Sequence, residues 1–323
     1  MSGHPMLTVE NVCVYYGRPR QPVRAVDGVS FTLHHGEALG LVGESGCGKS
    51  TLGRALLRLE PVRSGRVLLN GVDLVHLRGA KLKAFRGRAQ MIFQDPYGSL
   101  NPRQSVGGML REAVAVHEKV DRARREQCVA ELLRSVGLDP AYTRRYPHEF
   151  SGGQRQRLGL ARALAVKPEL IIADEPVSAL DVSVQVQILN LLKDLQQQLN
   201  LALLFIAHDL AVVRYVCSRI LVMYLGKVVE TAPAAALFAQ PRHPYTEALL
   251  SAVPDVAKGL AARTTGLNRI VLHGDMPSPA ITIPGCPFHP RCHRVRARCQ
   301  TEVPALREIA PGHCAACHFA EEM

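Results

Sequence analysis

The sequence predicts an α/β protein whose core is a parallel β-sheet. Two observations in its 323 residues lead to this expectation. From residue 169 onward, short apolar segments alternate with segments of helical period, which is the order that builds parallel sheets. A glycine-rich loop stands between an apolar strand and a helix at residues 43–51. Separately, no apolar run approaches the roughly 20 residues needed to span a bilayer, so we expect no membrane-spanning segment.

The first 80 residues are predicted to form strands, because short apolar runs alternate there with Gly and Pro breaks. The runs are LTVENVCVYY, AVDGVSFTL, EALGLVG and GRVLLNG. After Lys49 the period changes to that of a helix. The apolar residues then recur as Leu52, Ala55, Leu56 and Leu59.

The middle of the chain, about residues 96–166, is predicted to be mostly helical. Its segment RARREQCVAELLRSVGL places four apolar residues on one helical face, namely Val129, Leu132, Leu133 and Val136. Gly137 is the expected C-terminal cap of this helix, since glycine adopts the left-handed conformation that ends helices.

From residue 169 to about Pro233, strands and helices alternate. ELIIADE and LALLFIAH are predicted strands, VQVQILNLLKDLQQQLN and DLAVVRYVCS are predicted helices, and RILVMYLGKVVET is a strand pair turning at Leu225-Gly226. Beyond Pro233 the chain is rich in Pro, Arg, His and Cys, with little periodicity. We therefore expect a first domain over residues 1–235 and a small irregular, Cys-rich extension over residues 236–323.

The composition is that of an ordinary globular protein, with 47% hydrophobic and 21% charged residues. The net charge of +11 fits phosphorylated ligands, anionic lipid or nucleic acid, and a solvated basic surface without a specific anionic partner is the favoured alternative. With 5% aromatic residues and scattered arginines there is no stacking platform for bases, so we expect no nucleic-acid partner. The N-terminus MSGHPMLTVEN lacks the pattern of a secretory signal. We expect the protein in the cytosol or on a cytosolic membrane surface.

The loop GESGCGKST matches the phosphate-loop pattern G-x-x-x-x-G-K-[ST]. Its glycines let the backbone wrap phosphates, its lysine reaches the outer phosphates and its serine hydroxyl binds Mg²⁺. The sequence therefore predicts binding of a nucleoside triphosphate with Mg²⁺. The expected binding residues are Gly43, Glu44, Ser45, Gly46, Cys47, Gly48, Lys49, Ser50 and Thr51.

Polar residues follow three of the predicted strands. Asp174 and Glu175 end LIIADE, Gln94 follows AQMIF, and His208 follows LLFIA. Ligands bind at the carboxyl ends of parallel strands, and an acidic residue there holds Mg²⁺ in phosphate-loop proteins. A solvated acidic strand end and a surface histidine are the alternatives that the residues alone leave open.

A second glycine loop, HEFSGGQRQR, precedes a basic helical run. The ordered set GESGCGKS, Gln94, FSGGQ, LIIADE, SALD and His208 resembles the nucleotide-binding subunits of ABC transporters over about residues 7–235. The signature begins with Phe150 where leucine is commonest in the family. The resemblance implies a RecA-like parallel-sheet core, an N-terminal antiparallel β subdomain and a helical subdomain over about residues 96–166.

The resemblance also explains the second loop. In this family the Ser-Gly-Gly-Gln loop serves the ATP bound by the partner subunit, so two subunits pair head to tail around two ATP molecules. The residues that would contact the opposite ATP are Ser151, Gly152, Gly153 and Gln154.

Further roles follow from the resemblance, position by position. Tyr16 would stack on adenine, and Ser50 and Gln94 would ligate Mg²⁺, with Asp174 holding the ion through water. In catalysis, Glu175 would be the general base. His208 would contact the γ-phosphate and position the attacking water. The resemblance thus implies an ATPase.

FQDPYGSLNPR and QPRHPYTEALLSAVP narrow the resemblance to the ATPase subunits of bacterial dipeptide and oligopeptide importers. It implies a peripheral subunit on the cytoplasmic face of the membrane, bound to two permease subunits and served by an extracytoplasmic solute-binding protein. A second ATPase subunit is the expected dimer partner. Import of nickel complexes or glycosides, a soluble ABC ATPase acting on nucleic acid or ribosomes, and a non-hydrolysing regulatory subunit are the alternatives.

Five of the nine cysteines crowd the C-terminal end. In a reducing cytosol such a cluster favours a metal over disulfides, although the spacings fit neither zinc ribbons nor ferredoxins, and free thiols stay open. The importer family carries a similar set, and the resemblance implies a [4Fe–4S] cluster on Cys286, Cys292, Cys299 and Cys317. Zinc is the rival, because Cys314 adds a C-x2-C pair and histidines lie nearby.

Overall fold

The structure is a computed structural model that describes residues 4–18, 22–117, 120–253, 270–272 and 274–323. The chain folds into two compact units, each assembled from separate stretches of sequence. The first unit comprises residues 1–7, 33–38 and 68–206, and the second comprises residues 8–32, 39–67 and 207–323. The expected division into residues 1–235 and 236–323 stays a prediction.

Most of the β-strands fall where the sequence alternates apolar runs with turn residues. They are β1 (Leu7–Tyr16), β2 (Val23–Leu33), β3 (Ala38–Val42), β4 (Ser64–Leu69), β5 (Val72–Asp73), β6 (Ala89–Ile92), β7 (Leu170–Asp174), β8 (Ala202–Ala207), β9 (Arg219–Tyr224), β10 (Lys227–Pro233), β11 (Arg307–Ala310) and β12 (His313–Ala315).

The α-helices occupy the segments of helical period between these strands. They are α1 (Lys49–Leu56), α2 (Gly79–Arg88), α3 (Pro96–Ser99), α4 (Val106–His117), α5 (Arg122–Ser135), α6 (Gly152–Leu164), α7 (Val182–Gln198), α8 (Leu210–Val216), α9 (Ala234–Ala239), α10 (Pro244–Ser251) and α11 (Ala297–Thr301). Within the described ranges, no helix is both long enough and apolar enough to cross a membrane.

In the first unit, β6, β7 and β8 lie side by side and run parallel. Ile172 of β7 stands opposite Met91 of β6 and Leu204 of β8. All residues of β7 and β8 are buried. Parallel strands covered on both faces need unbroken apolar runs, and LIIAD and ALLFIA supply them. The predicted parallel sheet is confirmed.

The helical region of the first unit is built from α4, α5 and α6, around Val114, Cys128 and Ala165. Helix α5 ends in a Schellman motif, in which the N–H of Leu138 donates to the Leu133 carbonyl at 2.8 Å and that of Gly137 donates to the Arg134 carbonyl at 2.9 Å. Gly137 has a φ of +70°, so the helix ends at the predicted glycine.

In the second unit, β3 runs parallel to β9, with Val42 opposite Val222. β9 turns back into antiparallel β10 through Leu225 and Gly226, both at positive φ, as a type I′ hairpin turn requires. This turn stands where the sequence predicts it. β2, β1 and β4 lie beside one another in a separate sheet.

The C-terminal extension is less irregular than predicted. β12 pairs antiparallel with β10, with Ala315 opposite Glu230, and β11 pairs with β12. The buried His313 Nε2 lies 2.7 Å from the buried Glu230 carboxylate, 83 residues earlier in the chain. The two strands are only four and three residues long, and β12 pairs with a strand more than 80 residues earlier, so the local sequence pattern does not predict them.

Candidate functional site

The phosphate loop in the second unit is held in its shape by the surrounding backbone. It leaves β3 after Val42 and enters α1 at Lys49. Gly48, the residue before the helix, has a φ of +106°, and a Cβ there would lie 1.9 Å from the Ala25 carbonyl oxygen. Only glycine fits such a position. The loop therefore opens into the N-terminus of α1, which favours anions.

Lys49 is 4% exposed and already engaged with the loop. Its ammonium donates hydrogen bonds to the carbonyls of Gly43 at 2.8 Å and Glu44 at 2.9 Å. The Cys47 thiol lies 3.7 Å from the same ammonium, and burial raises the pKa of this thiol. The Lys49 ammonium is thus hydrogen-bonded within the loop that the sequence predicts to bind phosphate.

Glu44 is bound by two residues of the C-terminal part of the chain. Its backbone N–H donates to the Tyr245 hydroxyl at 2.8 Å, and its carboxylate pairs with the Arg291 guanidinium at 2.9 Å. Sequence reasoning missed both contacts, because Tyr245 sits in an HPYT segment that also fits a simple turn before a helix. The sequence signal that pointed to a role for this segment was its resemblance, as part of QPRHPYTEALLSAVP, to the ATPase subunits of peptide importers.

In the first unit, two predicted residues meet at the carboxyl edge of the parallel strands. The Gln94 side-chain amide donates to the Glu175 carboxylate at 3.0 Å. Glu175 takes a φ of +45°, and its N–H donates to the Ile206 carbonyl at 2.9 Å. Asp174, one residue earlier, is 1% exposed. His208, the next predicted residue, belongs to the second unit, where it directly follows β8 and is exposed.

The second glycine loop, also in the first unit, is a helix start with a capping box. The Ser151 hydroxyl accepts from the Gln154 N–H at 3.3 Å, and the Gln154 side chain accepts from the Ser151 N–H at 3.0 Å. Ser151 is exposed. Gly153 packs against Val184, where a Cβ would come within 2.4 Å. The loop presents the positive end of the α6 dipole at the surface.

Tyr16 ends β1 in the second unit and is 37% exposed. Burial of the rest of the side chain raises its pKa. An exposed aromatic ring at a strand end can stack on a planar ligand, the role that the family resemblance implies for this position.

The four predicted cluster cysteines line one cavity of about 50 Å³ in the second unit, together with His243 and Phe288. Burial raises the pKa of the Cys286 and Cys292 thiols to about 11 and raises that of Cys317 as well. Cys314 lies in β12, opposite Thr231 of β10. In the part of the chain that is described, no group of three or more His, Cys, Asp or Glu side chains could hold a metal ion.

Comparison with known proteins identifies the family. Residues 26–178 match the family "ABC transporter" and residues 229–299 match "Oligopeptide/dipeptide transporter, C-terminal region". The chain is 56% identical to the "Probable peptide ABC transporter ATP-binding protein y4tS" of Sinorhizobium fredii, over 92% of this chain and 82% of that protein. It is 52% identical to the "Oligopeptide transport ATP-binding protein AppF" of Bacillus subtilis, over 92% of this chain and 90% of that protein.

A solved structure shows the same fold. The dimeric structure of MJ0796, a bacterial ABC transporter cassette, aligns with a TM-score of 0.65 and 27% identity, over 71% of this chain and 99% of that chain. The predicted ABC-type nucleotide-binding fold is therefore confirmed. The chain belongs to the ATP-binding proteins of ABC transporters, in the group that carries the oligopeptide/dipeptide transporter C-terminal region, and its reaction is ATP hydrolysis.

Proposed function

We propose that the chain is the energy-coupling ATPase subunit of a membrane ABC importer for dipeptides and oligopeptides. One observation carries the proposal. The chain that contains the predicted nucleotide-binding residues also matches the oligopeptide/dipeptide transporter C-terminal region. Relatives named for peptide or oligopeptide transport match it over 92% of its length.

In the second unit, Lys49 and the loop from Gly43 to Thr51 bind the phosphates of ATP. Lys49 exchanges its bonds to the Gly43 and Glu44 carbonyls for phosphate oxygens, so no new charge has to be buried unpaired when the nucleotide arrives. The Tyr16 ring stacks on adenine.

In the first unit, Glu175 accepts the proton of the attacking water. The Gln94 amide, which donates to the Glu175 carboxylate at 3.0 Å, orients that carboxylate. His208, which directly follows β8 and belongs to the second unit, positions the water against the γ-phosphate. Ser50, Gln94 and Asp174 would hold Mg²⁺, which neutralises charge on the phosphate oxygens.

The second glycine loop supports a head-to-tail dimer, because a capped helix N-terminus at Ser151 lies exposed in the first unit. Residues 151–154 serve the ATP of the opposite subunit. We propose that this opposite subunit is a second ABC ATPase. The dimer binds two membrane permease subunits on the cytoplasmic face of the membrane and receives solute indirectly from an extracytoplasmic binding protein.

We propose a [4Fe–4S] cluster on Cys286, Cys292, Cys299 and Cys317, in support of which all four line one cavity. A single zinc ion needs four sulfurs about 2.3 Å from one point, whereas a cubane cluster takes each cysteine on a different iron. Zinc on the same cysteines stays the alternative to the cluster. Its role is to hold the tail together.

The test is peptide uptake in cells that naturally make the chain. Deleting it should abolish uptake of a radiolabelled dipeptide and a radiolabelled pentapeptide. The wild-type chain should restore uptake, and Lys49→Ala should not. Affinity purification from membranes should recover proteins with several membrane spans and a second ABC ATPase. Normal peptide uptake without the chain, or recovery of ribosomal RNA instead of membrane proteins, would contradict the proposal.

A further inference from the structure

Glu44, the second residue of the phosphate loop, joins three parts of the second unit. Its carbonyl accepts from the Lys49 ammonium at 2.9 Å. Its N–H donates to the Tyr245 hydroxyl at 2.8 Å. Its carboxylate pairs with Arg291 at 2.9 Å. Every polar group of Glu44 is therefore engaged, and two of its partners come from residues more than 200 positions away.

Tyr245 is a rigid partner. It is 0% exposed, and its ring packs against Tyr224 at 4.8 Å and Phe288 at 5.4 Å between centroids. Tyr224 and Phe288 pack edge-to-face at 5.2 Å, a favoured aromatic geometry. The Tyr245 hydroxyl is thus fixed in place, and it engages the Glu44 N–H at the entrance of the loop.

Arg291 ties the same loop residue to the cysteine-lined part of the tail. It lies in the short turn His289–Arg291, between Cys286 and Cys292, and the Cys286 N–H donates to the Cys299 carbonyl at 2.8 Å. The Arg291 side chain is only 8% exposed. Burial lowers its pKa, but the interactions with Glu44 and Tyr224 together outweigh this, so the pKa lies above its ordinary value.

We propose that the C-terminal tail braces the phosphate loop through Tyr245 and Arg291, which act as positioning residues for ATP binding. The inference rests on the proposed role of residues 43–51 in binding ATP. A loop held in its binding shape before the ligand arrives loses less conformational freedom on binding, and this strengthens affinity. Losing either contact leaves the loop with more conformations and Glu44 with an unpaired group.

The experiment measures the Kd of a non-hydrolysable ATP analogue with Mg²⁺, by calorimetry on the full-length chain. Arg291→Met and Tyr245→Phe should each weaken binding about tenfold, which equals about 1.4 kcal/mol. Arg291→Lys keeps the charge and should recover part of the loss. The matched control is Arg298→Met, because Arg298 forms an exposed ion pair with Glu302 at 2.7 Å in the same tail. It should bind like the wild type.

A double-mutant cycle shows whether Arg291 acts through Glu44. Glu44→Gln and Arg291→Met should each weaken binding, and the double variant should bind no more weakly than the worse single one. The melting temperature of each variant shows whether a loss of affinity is due to unfolding, and its iron content shows whether the variant has lost the proposed cluster. Kinetically, the KM for ATP should rise while kcat stays within about twofold, a split that general destabilisation does not produce.

The outcomes separate the two proposals. If Lys49→Ala binds the analogue as tightly as the wild type, the loop is not the phosphate site and the proposed site assignment fails. If Lys49→Ala loses binding but Arg291→Met and Tyr245→Phe bind like Arg298→Met, the loop assignment stands and the brace is wrong. Additive effects in the cycle would also overturn the link through Glu44.

Discussion

At the scale of single residues, Glu175 stands out because its backbone is strained. A φ of +45° is uncommon for a residue with a long side chain, and such strain persists only where surrounding contacts hold it. Two hydrogen bonds stabilise this conformation: the Glu175 N–H donates to the Ile206 carbonyl, and the Gln94 amide donates to the Glu175 carboxylate. The carboxylate is therefore kept in one place, as a general base requires.

Tyr16 gives a prediction at the same scale. Tyr16→Ala should weaken ATP binding by about 1–3 kcal/mol, or about five- to 150-fold, because stacking of a base on an aromatic ring contributes that much. Tyr16→Phe keeps the ring and should bind within about twofold of the wild type. Fluorescence titration with a labelled ATP measures both variants. Equal affinity of Tyr16→Ala and Tyr16→Phe would remove the stacking role.

The sequence predicted the site residues that follow strands, but not the contacts between residues far apart in the chain. Gln94 and Glu175 each follow an apolar strand, so their proximity could be anticipated from the sheet. The contact from Glu44 to Tyr245 joins residues 201 positions apart. Nothing in the local pattern of either segment encodes that pairing, which arises only when the second unit packs.

At the scale of elements, strands and helices follow local chemistry closely. LIIAD, ALLFIA and RILVMY form buried strands, and the period of RARREQCVAELLRS forms α5, with Val129 and Leu133 buried. The tail strands β11 and β12 could not be predicted, because their stability depends on β10 and on the buried pair of His313 and Glu230.

The end of α5 gives a prediction for the elements. Gly137→Ala should lower the free energy of unfolding by about 1–2 kcal/mol, the cost of a left-handed residue that carries a Cβ. The added Cβ would also lie 2.7 Å from the Arg157 guanidinium. Urea titration of the helical circular dichroism signal measures the change.

The control is the same substitution inside α6. Gly159 has nothing within 4 Å of a built Cβ, so Gly159→Ala should raise the free energy of unfolding by about 0.5–1 kcal/mol. If both alanine variants changed stability in the same direction, the helix end would not depend on the conformation of Gly137.

At the scale of the whole molecule, the predicted site residues are distributed over both units. The second unit contains the phosphate loop, in which Lys49 is hydrogen-bonded to the loop backbone. The first unit contains the hydrogen-bonded pair of Gln94 and Glu175. The second unit also contains the cysteine-lined cavity and the contacts that reach Glu44.

The tail gives a prediction for the whole molecule. Protein purified without oxygen should contain about four irons and four sulfides per chain. Cys292→Ser should lose both, since Cys292 lines the cavity. Cys314→Ser is the matched control and should keep its iron and sulfide, because Cys314 lies in β12 and is not one of the four cysteines that line the cavity. Zinc alone, or equal iron in the two variants, would refute the proposed ligand set.

The most direct test of the account is ATP turnover by Glu175→Gln. The control is Glu169→Gln, at the opposite end of β7, where the carboxylate pairs with Arg88 at 2.6 Å. Both variants should bind ATP like the wild type. Glu175→Gln should lose at least about a hundredfold in kcat, the usual contribution of a general base, and Glu169→Gln should keep its kcat. Turnover by Glu175→Gln at the rate of the wild type would contradict the assignment of the base and the site built around it.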